Sequence, residues 1–173
     1  MSKATNQEFN ALLNSSIEAI ESARCLSPKV VAAAQMMVDC FKQGGKILIC
    51  GNGGSAADSL HFSSELLNKF DRIRRPLPGI SLVADASTLT SIGNDESFDV
   101  VFSKQVEALG HERDILVPIT TSGNSPSVLK ATEAALKIGM RVITLNGRDG
   151  GKLSGLVNDG NIDIVIPQEK TAR

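Results

Sequence analysis

At 173 residues, 42% of them hydrophobic, the chain is long enough for one domain with a sizeable core. A formal charge of −1 gives no basic face for a polyanion, and aromatics make up only 3%, all of them phenylalanine, so the core is aliphatic and base-stacking platforms are missing. These features argue against a nucleic-acid partner, and no apolar run approaches a membrane span.

The amino terminus, MSKATNQEFN, has no apolar leader segment. Cys25, Cys40 and Cys50 lie in apolar or helical contexts without CxxC spacing, which predicts reduced core thiols in a cytoplasmic protein. Between Asn6 and Arg24, the residues Phe9, Leu12, Leu13, Ile17 and Ile20 recur at helical spacing, leaving Glu8, Asn14, Glu18 and Glu21 mostly for the other face. Ser27 as a cap and Pro28 in the first turn open a second helix through Phe41, which Gly44 and Gly45 stop. This helical pair, residues 1–44, either covers a sheet or packs subunits together.

Residues 45–173 read as an α/β core. Ile47 to Cys50 is a continuous apolar run of the kind that forms an interior strand of a parallel sheet. Gly51, Asn52, Gly53 and Gly54 follow, and Ser55 is the expected cap of the next helix. Unpaired N–H groups at that helix start favour a phosphate or carboxylate. On the helix, His61 and Glu65 are four residues apart and project from one face. The pair is either chemistry at the carboxyl end of a strand or ordinary helix decoration.

Phe70 to Pro78 is a basic, proline-punctuated loop in which Arg72, Arg74 or Arg75 either stays solvated or meets a phosphate or a partner subunit. A second strand is expected from Gly79 to Ala84, ending at Asp85. A short helix near Ser87 to Ile92, a turn at Gly93, Asn94 and Asp95, and a helix from about Phe98 to Leu109 follow. His111 sits in a polar loop with no companion ligand and reads as a surface residue.

A third strand, Asp114 to Ile119, runs into Thr120, Thr121, Ser122, Gly123, Asn124, Ser125 and Pro126. Four hydroxyls lie between a strand end and a helix start, with Ser125 as cap and Pro126 at the first helical position. Such a loop either cradles phosphate without a lysine or is a serine-rich connection with ordinary capping. A helix to Ile138, a strand from Arg141 to Leu145, a glycine-rich turn with a short helix from Gly147 to Leu156, and a fifth strand from Ile162 to Ile166 complete the pattern. Five strands separated by helices predict a three-layer α/β/α, doubly wound parallel sheet with both polar loops on one edge.

No GxxxxGK[ST] occurs, so a P-loop is out. Gly51, Gly53 and Ala56 satisfy GxGxx[GA], but Asp85, the candidate ribose acid, comes well beyond the ~20 residues at which such an acid follows. A phosphorylated sugar fits better. The hydroxyl loop would hold phosphate, the glycine loop would lie over the polyol, and Glu65 would be a general base with His61 as the local acid. The His61–Glu65 spacing also suits two ligands of a zinc ion.

The stretches GNGGSAADSLHFSSEL (Gly51 to Leu66), IGND (Ile92 to Asp95), TTSGNSPSVL (Thr120 to Leu129) and NGRDGGKLSGL (Asn146 to Leu156) together resemble phosphoheptose isomerases of the sugar isomerase (SIS) fold. The likeness runs from Phe41 onward. It implies an aldose–ketose isomerase converting sedoheptulose 7-phosphate to D-glycero-D-manno-heptose 7-phosphate through an enediol, toward ADP-heptose and the lipopolysaccharide core. It implies that Asn52, Gly53, Gly54, Ser55, Asn94, Asp95, Thr120, Thr121, Ser122 and Ser125 touch substrate. Glu65 would be the base, and His61 and Glu65 would be catalytic residues and ligands of one zinc per subunit.

The resemblance also implies a homotetramer with sites shared between subunits. The family's C-terminal helix follows a motif like the closing Thr171, Ala172 and Arg173, and it supplies a glutamine and a histidine, the histidine being an acid catalyst and metal ligand. Neither is in this sequence, which predicts weak turnover unless further residues follow. Two rivals remain: a tetrameric adaptor of the replication initiator, whose branch lacks an acid at position 65, and a sensor that binds a sugar phosphate without chemistry.

Overall fold

Aliphatic runs bounded by glycine or polar turns become strands when both of their faces can be covered. The computed structural model describes residues 5–169 and contains five such strands: β1 (Ile47–Gly51), β2 (Gly79–Ser81), β3 (Ile115–Thr120), β4 (Arg141–Gly147) and β5 (Ile162–Ile166). They pair in parallel in the order β2-β1-β3-β4-β5, with Ile47 opposite Gly79 on one side and Ile115 on the other. Seven α-helices accompany them among the described residues: α1 (Asn6–Ser22), α2 (Ser27–Lys42), α3 (Gly54–Leu67), α4 (Ala86–Asp95), α5 (Ser103–Leu109), α6 (Pro126–Ile138) and α7 (Gly151–Leu156).

Side-chain alternation divides the core in two. Ile47 and Ile49 join Ile115, Val117 and Ile143 on the face covered by α2 and α3, where Ala33, Cys40 and Leu66 pack. Leu48 and Cys50 join Leu116 and Val142 on the opposite face, against Phe102, Val106, Val128, Ala131 and Leu153 of the α5, α6 and α7 side. The expected doubly wound three-layer sheet is therefore observed.

At the amino ends of β1 and β3, buried Asp114 accepts hydrogen bonds from Lys46 Nζ at 2.5 Å, the Lys46 N–H at 2.9 Å and the His111 N–H at 2.9 Å. Three donors satisfy a carboxylate that burial would otherwise penalise. His111 itself is exposed, as the sequence predicts, and contributes only its backbone here.

Several local expectations are corrected. The strand expected to reach Ala84 stops at Ser81, because Ala84 N–H turns back to Ser81 O. Asp85 caps α4 through Oδ1, which accepts from the Ser87 and Thr88 N–H groups, and the helix therefore continues through the expected turn to Asp95. The helix expected from Phe98 to Leu109 splits into a 3₁₀ turn at Phe98–Val100 and α5. Ser27 is the first residue of α2 and not its cap, because a 3₁₀ turn at Ala23–Leu26 feeds directly into the helix.

α1 does not cover the sheet. Its capping box between Thr5 and Glu8 sets its start, but only Ala19 is buried, while Phe9 and Ile20 are 64% and 73% exposed and Leu12, Leu13 and Ile17 are exposed beside them. The apolar stripe read from the sequence thus faces outward in the single chain.

The expectation of three core thiols also fails at Cys25, which is exposed in the 3₁₀ turn. Cys40 and Cys50 are buried. Burial, then the neighbouring Asp114 carboxylate, pushes the Cys40 thiol up to about 11, and burial alone pushes Cys50 up to about 12. Both stay protonated, and unreactive, at neutral pH. A thiol-reagent titration of the folded protein at pH 8 should therefore label at most one cysteine, Cys25. All three should react in denaturant, and rapid labelling of two in the folded state would contradict this packing.

Candidate active site

The β1-to-β2 crossover moves one way along the sheet and the β3-to-β4 crossover the other, so β1 and β3 flank a switch point whose crevice opens at their carboxyl ends. The two polar loops predicted from the sequence meet there. Gly53 caps α3 from φ 57°, ψ −121°, a conformation outside the reach of ordinary L-residues. The helix consequently starts two residues earlier than expected, and Ser55 lies buried inside its first turn instead of capping it. Neither α3 nor α6 carries a side-chain cap, and the Gly54 and Ser127 N–H groups have no hydrogen-bond partner among the described residues, while those of Ser55 and Val128 are bonded to Asn52 O and Ser125 O.

Ser125 does occupy the cap position of α6, with Pro126 opening the helix, but its hydroxyl is used elsewhere. Asn52 Nδ2 donates to Ser125 Oγ at 2.7 Å and to Ser127 Oγ at 3.0 Å, tying the glycine loop to the hydroxyl loop. Because Asn52 supplies the protons, the two hydroxyls remain donors for a guest, less any proton shared across their own 3.4 Å contact. Below them, Ser122 N–H donates to Thr120 Oγ1 at 3.4 Å and Asn124 N–H to Ser122 Oγ at 3.2 Å.

The loop after β4 braces this arrangement. Gly123 sits at φ 65° with Gly150 O where a Cβ would stand, and a Cβ on Gly151 would lie 2.6 Å from Ser122 O. Leu153 N–H donates to Gly123 O at 2.9 Å, and Asn146 Nδ2 holds Gly150 O at 2.7 Å. A cavity of about 250 Å³ opens beside these loops. Its floor is apolar (Ile119, Leu145, Ile164), and its rim carries Ser55, Asp58, Thr120, Thr121 and Gln168.

On α3, His61 Nε2 and Glu65 Oε1 are 3.1 Å apart, as their spacing predicts. The imidazole is exposed, whereas Glu65 Oε2 is shut from solvent with no hydrogen-bond partner among the described residues. Asn94 and Asp95 are exposed in the last turn of α4, bonded to each other at 2.8 Å, and neither lines the cavity. Of the residues expected to touch substrate, Ser55, Thr120 and Thr121 line the cavity. Asn52, Gly53 and Gly54 of the glycine loop and Ser122 and Ser125 of the hydroxyl loop belong to the two loops that the Asn52–Ser125 bond ties together. His61, Glu65, Asn94 and Asp95 belong to neither loop and lie outside the lining.

Among the described residues no third His, Cys, Asp or Glu stands near enough to His61 and Glu65 to complete a metal site. The dinucleotide reading loses its acid, since Asp85 is committed to the α4 cap and the Thr88 hydroxyl, with the Thr88 and Ser87 N–H groups, holds its carboxyl below the usual carboxylate range. Ser127, Asp58 and the bracing role of Asn146 were not assigned from the sequence. Only the NGRDGG glycines signalled the brace.

A family model described as "SIS domain" matches residues 8–147. The phosphoheptose isomerase of Shewanella sp. (strain ANA-3) is 52% identical over 154 residues, 89% of this chain and 78% of that protein. Among solved structures, the phosphoheptose isomerase of Neisseria gonorrhoeae superposes with a TM-score of 0.91 at 46% identity, covering 97% of this chain and 89% of that one. For the enzyme from Francisella tularensis the TM-score is 0.94 at 44% identity, with 98% and 90% covered.

The Asn52 bridge makes a directional prediction. Asn52→Asp keeps the shape but removes the two donors and faces any bound phosphate with a negative charge, whereas Asn52→Ala only removes the bridge. Calorimetric titration with sedoheptulose 7-phosphate should show affinity falling at least about tenfold for Asn52→Asp, and less for Asn52→Ala. Wild-type affinity in Asn52→Asp would remove the bridge from the site.

Proposed function

This chain belongs to the SIS-domain family and, within it, to the phosphoheptose isomerases, and from that premise we propose how its residues interconvert sedoheptulose 7-phosphate and D-glycero-D-manno-heptose 7-phosphate. The reaction is an aldose–ketose isomerisation serving heptose biosynthesis, with ADP-heptose and the lipopolysaccharide core as its destination in our reading. The single observation that carries the mechanism is the Glu65 carboxylate, with Oε1 held against His61 and Oε2 buried and unpaired. An unsatisfied buried oxygen is costly, and a proton acceptor is a reason to keep one.

In this reading the hydroxyls of Thr120, Thr121, Ser122 and Ser125, with the open start of α6, bind the phosphate. Asn52, Gly53, Gly54 and Ser55 lie along the sugar, and Asn94 and Asp95 reach its hydroxyls. Glu65 removes a proton from C1 of the ketose; the C1–H electron pair becomes the C1=C2 bond of an enediolate whose charge rests on O2. Glu65 returns the proton to C2 as the C1=C2 pair forms the new C2–H bond, and the O1 proton passes to O2 as C1 becomes the aldehyde, so composition is unchanged. His61 keeps the carboxylate in place through Oε1.

In the proposal, His61 and Glu65 would be two ligands of a zinc ion, with its remaining donors outside the described residues. When bound, it would supply a Lewis acid to the substrate oxygens. The adaptor reading is not favoured, since an acid stands at position 65 and the relatives are isomerases. We place the protein in the cytoplasm. No described helix is long and apolar enough to cross a membrane.

A homotetramer accounts for two further features. The outward apolar row of α1 requires a partner, and a second copy supplies one. A shared site would also bring the Asn94–Asp95 turn of one subunit to the crevice of another. Light scattering should give four times the chain mass. Replacing Phe9 and Ile20 by glutamate should lower it, and an unchanged mass would move the interface elsewhere.

A proton NMR time course in D2O with sedoheptulose 7-phosphate, run on the protein with any residues that follow Arg173, tests the chemistry. Aldoheptose phosphate carrying deuterium at C2 should appear and should slow at least about a hundredfold in Glu65→Gln. Chelation followed by zinc addition in the same assay tests the metal. Binding without conversion would favour the sensor.

A further inference from the structure

Helix α3 carries the base in its last turn, yet the helix end lacks the usual closure. Asn68, its C-cap, sits at φ −105°, ψ −102° and not in the left-handed conformation that turns a chain back on its own carbonyls. Asn68 N–H satisfies Ser64 O, which leaves the carbonyls of Glu65 and Leu66 to find other donors.

They find them in the basic loop. Arg74 Nη2 donates to Glu65 O at 2.5 Å and Arg74 Nη1 to Leu66 O at 2.9 Å, with a third bond from Nη1 to Arg75 O at 3.0 Å. Leu77 N–H adds a second donor to Leu66 O at 3.0 Å. The guanidinium fork matches two successive carbonyls, and its charge faces the negative end of the helix. The other cations of this loop, Lys69, Arg72 and Arg75, make no side-chain hydrogen bond among the described residues, and Phe70 and Ile73 are exposed. From below, Leu66 presses on Gly79, where a Cβ would lie 2.6 Å from Leu66 Cδ1, and Ser63 Oγ donates to Gly79 O at 2.9 Å.

We propose that Arg74 is a positioning residue for the isomerase: its guanidinium clamps the backbone carbonyls of Glu65 and Leu66 and so holds the Glu65 carboxylate where the substrate proton is taken. The inference rests on the isomerase reading above. A carbonyl is one bond from the Cα that carries the side chain, so a last turn that frays carries the carboxylate away with it. Displacement of a catalytic group by an ångström or so costs up to about a hundredfold in rate. The hydroxyl loop is untouched by the clamp, so substrate affinity should not follow.

Arg74→Ala and Arg74→Lys are compared with wild type by amide hydrogen exchange of the peptide spanning residues 61–69 and by steady-state turnover of sedoheptulose 7-phosphate. Arg74→Ala should exchange faster in that peptide alone and lose at least about tenfold in kcat, with KM within about twofold of wild type. Millimolar guanidinium, too dilute to denature, should restore part of kcat in Arg74→Ala and none in wild type. Arg74→Lys, which keeps the charge but not the fork, should fall between them. Wild-type exchange in Arg74→Ala overturns the clamp. Faster exchange with wild-type kcat, or a parallel rise in KM, overturns its role in placing Glu65. A wild-type protein without turnover would strike the isomerase reading instead, and the exchange comparison, which needs no turnover, would still decide whether Arg74 holds the helix end.

Discussion

Two stretches of backbone touch beside the crevice with no room for a side chain between them, and the hydroxyl loop of the candidate site depends on that contact. Gly123 from the loop after β3 and Gly150 from the loop after β4 approach so closely that a methyl group on Gly123 would stand on Gly150 O, and a Cβ on Gly151 would lie 2.6 Å from Ser122 O. The contact is possible because β3 and β4 are neighbours in register, Thr120 beside Asn146, so their following loops leave the sheet side by side. Asn146 and Leu153 then secure it with hydrogen bonds to Gly150 O and from Leu153 N–H to Gly123 O. Thr120, Thr121, Ser122 and Ser125 are thereby set on rigid backbone before any ligand arrives, and preformed donors need no reorganisation when an anion binds.

The same strand order explains why Glu65 is not on that loop. Right-handed crossovers running in opposite directions put α3 on one face of the sheet and α6 on the other. The start of α6 with its hydroxyl loop and Glu65 on α3 are therefore on opposite faces of the sheet, which in the proposed reading suits a substrate whose reacting carbons are far from its phosphate. Asn52 spans the gap at its narrow end by joining the loop of β1 to Ser125 and Ser127.

What the sequence made legible follows from how local each signal is. Ile47 to Cys50, Asp114 to Ile119 and Ile162 to Ile166 are apolar runs with clear stops, and all three are strands with nearly the expected bounds. His61 and Glu65 share a face because helical spacing alone requires it. Capping was less legible, since a serine near a helix start can cap, lie inside the first turn like Ser55, or bond across the site like Ser125, and backbone dihedrals decide among these. The bond from Asn52 to Ser125 joins residues 73 apart, and the fork from Arg74 reaches back over a loop with no regular period. Neither leaves a pattern in the sequence. The stripe on α1 was legible as a stripe, but periodicity says only that one face is apolar and not what covers it.

A carboxylate that takes a proton from carbon must satisfy two opposed demands. Hydrogen bonds to both oxygens would favour the charged form and weaken the base, and bonds to neither would leave the group free to rotate away. Glu65 divides them, with Oε1 on His61 and Oε2 buried without a partner. That division holds only while the helix turn beneath it holds, and α3 ends two residues later, where an unaided helix frays. The interactions that fix this turn come from outside the helix: Leu66 against Gly79, Ser63 on Gly79 O, Leu77 N–H on Leu66 O, and the Arg74 fork on two carbonyls. Glu65 sits two residues before the end of α3, and these contacts from the following strand and loop hold the turn that carries its carboxylate.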